Sequence, residues 1–217
     1  MSVIFQNPDE QVPDQQIYQQ DVALALQAEG LGFDSVWSVE HHFTSYTMCP
    51  DVLHFLNYMA GATQSIQLGA MVCVLPWHDP LRVIEQISML DNLSDGRLIL
   101  GLGRGTGKVE FDGFRTEMAS ARLRFKESTE MVLNAMENGY AEYHGEVIDQ
   151  PRVDIRPRPL KSMRGRAYAA AVSPDSARIM AEMGVGILSR APLRRWMKQI
   201  LVRPRIRCAS TGALVGW

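Results

Sequence analysis

Two hydrophobic patterns alternate along the chain. Short, apolar, partly β-branched runs occupy residues 3–6, 35–40, 66–75, 98–103, 166–172 and 185–188, as in strands buried on both faces. Between them lie longer stretches with apolar residues at helical spacing. The stretch 15–29 sets Ile17, Leu24, Ala28 and Leu31 near one face and stops at Gly30 and Gly32. The stretch 51–63 carries Val52, Phe55, Leu56 and Met59, and 81–92 repeats Leu81, Ile84, Ile87 and Leu90. The stretch 122–137 carries Phe125, Val132 and Met136 and closes at Gly139, while 174–183 ends at Gly184. Residues 140–162, with Pro151, Pro157 and Pro159, read as a long loop containing a short strand at 146–148.

Strands alternating with helices, without long hairpins, predict an α/β fold with a parallel sheet and helical crossovers. An open doubly wound sheet and a closed barrel both fit this pattern. About six strands are visible, whereas a (β/α)8 barrel has eight and typically ~250 residues.

Composition narrows the partners. At 46% hydrophobic and 21% charged the chain is an ordinary globular one, with no apolar run near the ~20 residues that cross a bilayer. The first residues lack the basic and apolar regions of a signal peptide, so a cytoplasmic location is the default expectation. Cys49, Cys73 and Cys208 are far apart and odd in number, which indicates neither a disulfide framework nor a CxxC metal site. After Glu182 there is no acidic residue, while seven are basic. That stretch has no repeated basic face and no nucleic-acid motif, so neither nucleic acid nor a membrane is an expected partner.

Candidate chemistry collects where strands end. Glu40-His41-His42-Phe43 follows the second strand, and polar side chains at the C-terminal rim of a parallel barrel need a reason. Alternation along a strand turns His41 and His42 to different sides, which argues against a shared metal, and no HExxH-like spacing occurs. Gly101-Leu102-Gly103-Arg104-Gly105-Thr106-Gly107 follows the fourth strand. It is neither a Walker A nor a GxGxxG motif, but its backbone allows close approach to a ligand, with Arg104 as an anion partner. Ser173-Pro174-Asp175-Ser176 begins a helix with a good cap, and a helix N-terminus suits a phosphate. Each of these has a plainer reading as packing, turn or cap; their shared position is what favours a common site.

Several of these segments, in order, resemble the bacterial luciferase family of flavin-dependent monooxygenases. They are Leu31-Gly32-Phe33-Asp34-Ser35-Val36-Trp37 running into Glu40-His41-His42-Phe43, Val74-Leu75-Pro76 with Asp79-Pro80, and Leu90-Asp91 through Ser94-Asp95-Gly96-Arg97 to Gly103-Arg104-Gly105. The resemblance implies a TIM-type (β/α)8 barrel binding reduced FMN at the strand C-termini. It also implies a catalytic role for His41 with His42 as a sensitive neighbour, and FMN-phosphate contacts from Arg104, Arg122, Ser173 and Ser176. Met71 and Val72 match a non-proline cis peptide beneath the flavin ring. Gly103 stands where luciferase has a reactive cysteine and Val172 where it has a glutamate, which counts against light emission.

The implied reaction uses reduced FMN from a separate NAD(P)H-flavin reductase. O2 would form a C4a-peroxyflavin, and oxygen would pass to a small apolar organic substrate. A homo- or heterodimer through the helices at 51–63 and 81–92 is expected. The resemblance runs to Leu188, giving an incomplete barrel over 1–188, truncated after about six strands, and an atypical Arg-rich tail over 189–217. The change of composition there points to a shifted reading frame or a wrongly joined gene end, against a genuine short tail. The alternatives are a deazaflavin-dependent oxidoreductase on the same fold and an inactive truncated remnant.

Overall fold

The computed structural model describes residues 1–171 and 173–188. In chain order the main sheet contains β1 (Ser2–Val3), β2 (Ser35–Ser38), β3 (Gln67–Ala70), β4 (Cys73–Val74) and β5 (Leu98–Gly103). A hairpin of β6 (Tyr140–His144) and β7 (Asp149–Asp154) stands apart, and β8 (Ala167–Ala170) and β9 (Gly186–Leu188) rejoin the main sheet. Its spatial order is β1-β2-β3-β5-β8-β9, with every pairing parallel. β4 continues the line of β3 beyond Met71 and Val72 and pairs with the far half of β5. Neighbours therefore follow chain order without reversal. A doubly wound sheet reverses its order at a switch point; a TIM-type barrel does not. The fold is α/β, with six strand positions in barrel order.

Helices fill the crossovers: α1 (Asp14–Gly30), α2 (Val52–Ala62), α3 (Pro80–Leu93), α4 (Lys108–Phe114), α5 (Ala121–Asn138) and α6 (Pro174–Glu182). Their starts are chemically marked. Asp51 accepts the N–H of His54, and Asp79 accepts those of Leu81 and Arg82 just ahead of Pro80 in the first turn, satisfying donors the helix itself cannot. Leu56 and Met59 of α2 and Ile84, Ile87 and Leu90 of α3 are buried with Leu68, Leu98, Leu100 and Leu102 of the sheet. Each such side chain contributes roughly 1.5–3 kcal/mol by leaving water.

Two expectations are corrected. In α1 the buried residues are Ala25 and Ala28, while Leu24 and Leu31 are exposed. Small side chains face the sheet there, so the largest residues misidentify the buried face. Residues 146–148 form the turn of a hairpin, not a strand. The Glu127 carboxylate of α5 accepts the N–H groups of Glu146, Val147 and Ile148, holding the turn. Most of β7 is exposed, so the flanking strands show little apolar alternation.

Polar groups at the N-terminal ends of the strands form a closed network. The Arg97 guanidinium donates to the backbone oxygens of Ser94, Ile66, Ala60 and Thr63 and to the Thr63 hydroxyl. Arg166 forms a two-pronged contact with fully buried Asp91, at 2.6 and 3.2 Å.

Candidate functional site

Beyond the C-terminal end of β2 the chain presents Glu40, His41 and His42 in succession. Glu40 and His42 are buried, whereas the His41 side chain is 41% exposed. The His41 backbone is fixed by an N–H bond to the Cys49 carbonyl at 3.1 Å. Its Nδ1 lies 2.8 Å from Glu110 Oε1. His42 turns the other way, with Nε2 3.0 Å from Glu40 Oε1. The two imidazoles thus face different carboxylates.

Glu40 is the hub of the buried half of this cluster. His78 Nε2 approaches the same Oε1 at 2.6 Å, and the Val74 N–H donates to Oε2 at 2.8 Å. Burial opposes ionisation of Glu40, but the hydrogen bonds from His42 and His78, the charge of His78 and the Val74 N–H outweigh it. Its carboxyl is held below the usual range. Burial likewise works against protonated His78, yet contact with Glu40 raises its pKa overall. Cys73 completes a group whose ligand atoms lie within 4.8 Å of those of Glu40 and His78. Both Glu40 oxygens already have donors, and burial pushes the Cys73 thiol well above its usual value. The group is therefore a satisfied hydrogen-bond network rather than a set of open ligands.

A seven-residue helix, α4, brings the second carboxylate and an aromatic wall to the rim. His42 meets Phe114 edge-on at 4.6 Å and Trp77 at 5.2 Å, while Trp77 and Phe114 lie nearly parallel at 5.7 Å. The Trp77 indole N–H is buried without a partner among the described residues.

The glycine-rich end of β5 passes beside the Met71–Val72 peptide bond, which is cis. A Cβ at Gly103 would lie 2.1 Å from Val72 Cγ2, so any side chain there requires Val72 to move. Arg104 is half-buried and Arg122 exposed. Among the described residues neither side chain enters a hydrogen bond or ion pair. At the start of α6, Ser173 and Ser176 form a reciprocal capping box: the Ser173 hydroxyl accepts the Ser176 N–H, and the Ser176 hydroxyl accepts the Ser173 N–H. Val172 and the tail expectation over 189–217 lie outside the described residues.

Sequence reading singled out His41, His42 and the glycine-rich turn but passed over Glu110, Phe111, Phe114 and His78. Phe111 and Phe114 stand one helical turn apart, the one signal that could have marked α4. Seven residues are too few for a periodicity window to register.

A family profile described as luciferase-like monooxygenase matches residues 1–207. The chain is 30% identical over 167 residues to the alkanal monooxygenase alpha chain of Photorhabdus luminescens, covering 77% of this chain and 46% of that one. It is 26% identical over 187 residues to the oxygenase component of the flavin-dependent trigonelline monooxygenase of Acinetobacter baylyi, covering 85% and 52%. Among solved structures it superposes on the monooxygenase RslO1 of Streptomyces bottropensis with a TM-score of 0.83 and 29% identity, covering 92% of this chain and 62% of that one. The chain spans about half the length of the curated relatives it matches. The chain belongs to the luciferase-like monooxygenase family.

Proposed function

We propose that this chain carries the flavin-binding half of an oxygenase that uses reduced FMN and O2 on a small apolar organic substrate. The observation that carries the reading is a set of open donors beyond the strand ends: Arg104 and Arg122, whose side chains have no protein partner among the described residues, and the helix α6, which begins with a hydroxyl cap. An anion satisfies these groups. Arg104 and Arg122 would hold the FMN phosphate by charge-assisted bonds. The Ser176 hydroxyl is also bonded to the Ser173 carbonyl, so the α6 contribution comes mainly from Ser173 and the first free N–H groups of the helix. Met71, Val72 and Gly103 would line the ring, and the missing side chain at Gly103 leaves Val72 room to do so.

Reduced FMN, when bound, supplies the two electrons that activate O2 for transfer of one oxygen atom. The protein's part is to orient the reactants, keep water out and manage protons. His41 is the proton-handling group, since it is the exposed imidazole of the pair and has a fixed carboxylate behind it. His42, with Glu40, supports it from the buried side. Trp77, Phe111 and Phe114 form the apolar wall. The flavin would come from a separate NAD(P)H-flavin reductase, as the relative named an oxygenase component supports. Exposed Tyr58 on α2 and Met89 and Leu93 on α3 are the surface through which two subunits would pair.

His41→Ala tests the assignment directly. With a reductase supplied, product formed per O2 consumed should fall about 10²–10⁴-fold, the range of general acid–base assistance. Hydrogen peroxide should rise in its place while FMN affinity is unchanged. Wild-type product yield in this variant would refute the role of His41. Tight binding of reduced deazaflavin in preference to FMN would refute the choice of cofactor.

A further inference from the structure

Glu110 is the one buried charged side chain on α4, only 2% exposed. Its Oε1 receives two contacts from the rim, His41 Nδ1 at 2.8 Å and the His42 backbone N–H at 3.2 Å. Its other oxygen folds back over the start of its own helix. A Cβ at Gly107, the residue capping α4, would lie 2.0 Å from Glu110 Oε2. A residue without a side chain there leaves the carboxylate its place. The orientation of Glu110 is thus fixed from both sides, by the His42 amide and by the space at Gly107.

A neutral imidazole carries one ring proton, and the partner at one nitrogen decides which. A carboxylate only accepts, so the proton between His41 and Glu110 belongs to Nδ1. The opposite tautomer would set a lone pair against a carboxylate oxygen at hydrogen-bonding distance. We propose that Glu110 is a positioning residue that holds His41 as the Nδ1–H tautomer and leaves its Nε2 lone pair free on the exposed side. The same division of labour operates between the aspartate and histidine of serine-protease triads. The consequence for catalysis rests on the reading of His41 as the proton-handling group; the tautomer itself does not.

The simpler role for Glu110 is to anchor the loop through the His42 N–H. Glu110→Gln separates the two. With its amide oxygen in the place of Oε1, glutamine still accepts the His42 N–H but holds Nδ1–H only by a weaker, uncharged bond; with the amide nitrogen there it would donate to Nδ1, so either placement weakens the preference for the Nδ1–H form. The experiment is nitrogen-15 NMR of the protein labelled at histidine, at a pH where the imidazoles are neutral, with the His41 signals identified by their loss in His41→Gln. Oxygenation coupling is measured on the same samples with FMN and a reductase.

Wild-type protein should show His41 protonated at Nδ1. Glu110→Gln should move it toward Nε2–H and lower coupling toward the His41→Ala level, with FMN affinity and urea midpoint close to wild type. Gly107→Ala keeps the carboxylate but displaces it, and should shift both readouts the same way by less. It also serves as the test if Glu110→Gln fails to fold. An Nε2–H tautomer in wild type, an unchanged tautomer in both variants, or a changed tautomer with unchanged coupling would each overturn the proposal. If His41→Ala retains full coupling, the functional reading fails separately, while the NMR result still decides what Glu110 does to His41.

Discussion

At the N-terminal ends of the strands, Arg97 and Arg166 have their guanidinium groups occupied by backbone carbonyls, the Thr63 hydroxyl and the buried carboxylate of Asp91. At the C-terminal ends, Arg104 and Arg122 have no protein partner among the described residues, and the Trp77 N–H is buried without one. The same residue type therefore stands in two situations within one fold. Where every donor is met by the protein, the network fixes the crossovers and has nothing left to offer a ligand. Where donors are left over, half-buried Arg104 and exposed Arg122 have no protein partner among the described residues, and under the proposed function an anion would complete them. This division matches the barrel rule that stability resides at the bottom face and chemistry at the top.

The sharpest way to break the comparison is at the bottom. Arg166→Met would leave Asp91 as an uncompensated buried charge, a loss of about 3–5 kcal/mol from a total that is usually only ~5–15 kcal/mol. Urea unfolding should show it, while the fraction that remains folded binds FMN as before. A midpoint within experimental error of wild type would mean that the base network contributes little to stability.

The corresponding change at the rim should do the reverse. Arg104→Ala removes one charge-assisted contact, about 1.5–3 kcal/mol, so FMN affinity should fall about ten- to hundredfold. Its urea midpoint without FMN should stay close to wild type. Unchanged affinity by fluorescence titration would take Arg104 out of the phosphate site.

A smaller effect distinguishes the buried half of the rim cluster from its open half. The pKa of His78 is raised above its ordinary 6.5 by Glu40, so its contribution to stability is full below that value and fades as pH rises through the folded-state pKa. Glu40 is held below its ordinary 4.5, so its contribution is full above that value and fades as pH falls through the folded-state pKa. Stability from the pair should therefore be greatest between about pH 4.5 and 6.5. Urea midpoints of wild type should decline on the alkaline side of this window, relative to His78→Gln. Parallel pH profiles for the two proteins would show that the contact has no energetic role.

Much of this layout was legible in the sequence, and the exceptions share a cause. Strands such as β5, fully apolar, and helices such as α2 and α3, with broad apolar faces, carry their pattern within a few neighbouring residues. So does the Glu40-His41-His42 run at a strand end. Pairings between distant segments have no such local mark. Glu110 meets His41 across 69 positions and His78 meets Glu40 across 38. The hairpin of β6 and β7 escaped because β7 is largely exposed and the turn is held by Glu127, a residue on another element. In α1 the spacing places Ala28 on the apolar face but passes over Ala25 for Leu24 and Leu31, because hydrophobic size is a poor guide where small side chains are the buried ones.

The most direct test of the division between the two ends is the stabilisation that reduced FMN confers, measured by anaerobic urea unfolding in wild type, Arg166→Met and Arg104→Ala. At a free concentration a hundredfold above the wild-type Kd, a ligand that binds only the folded state contributes about 2.7 kcal/mol. Wild type and Arg166→Met should both gain that amount, although the second starts from a much lower midpoint. Arg104→Ala should start near wild type and gain only about 0.4–1.4 kcal/mol, as the same relation gives for a hundred- to tenfold weaker site. Equal gains in all three proteins, or a gain lost in Arg166→Met and kept in Arg104→Ala, would contradict the account.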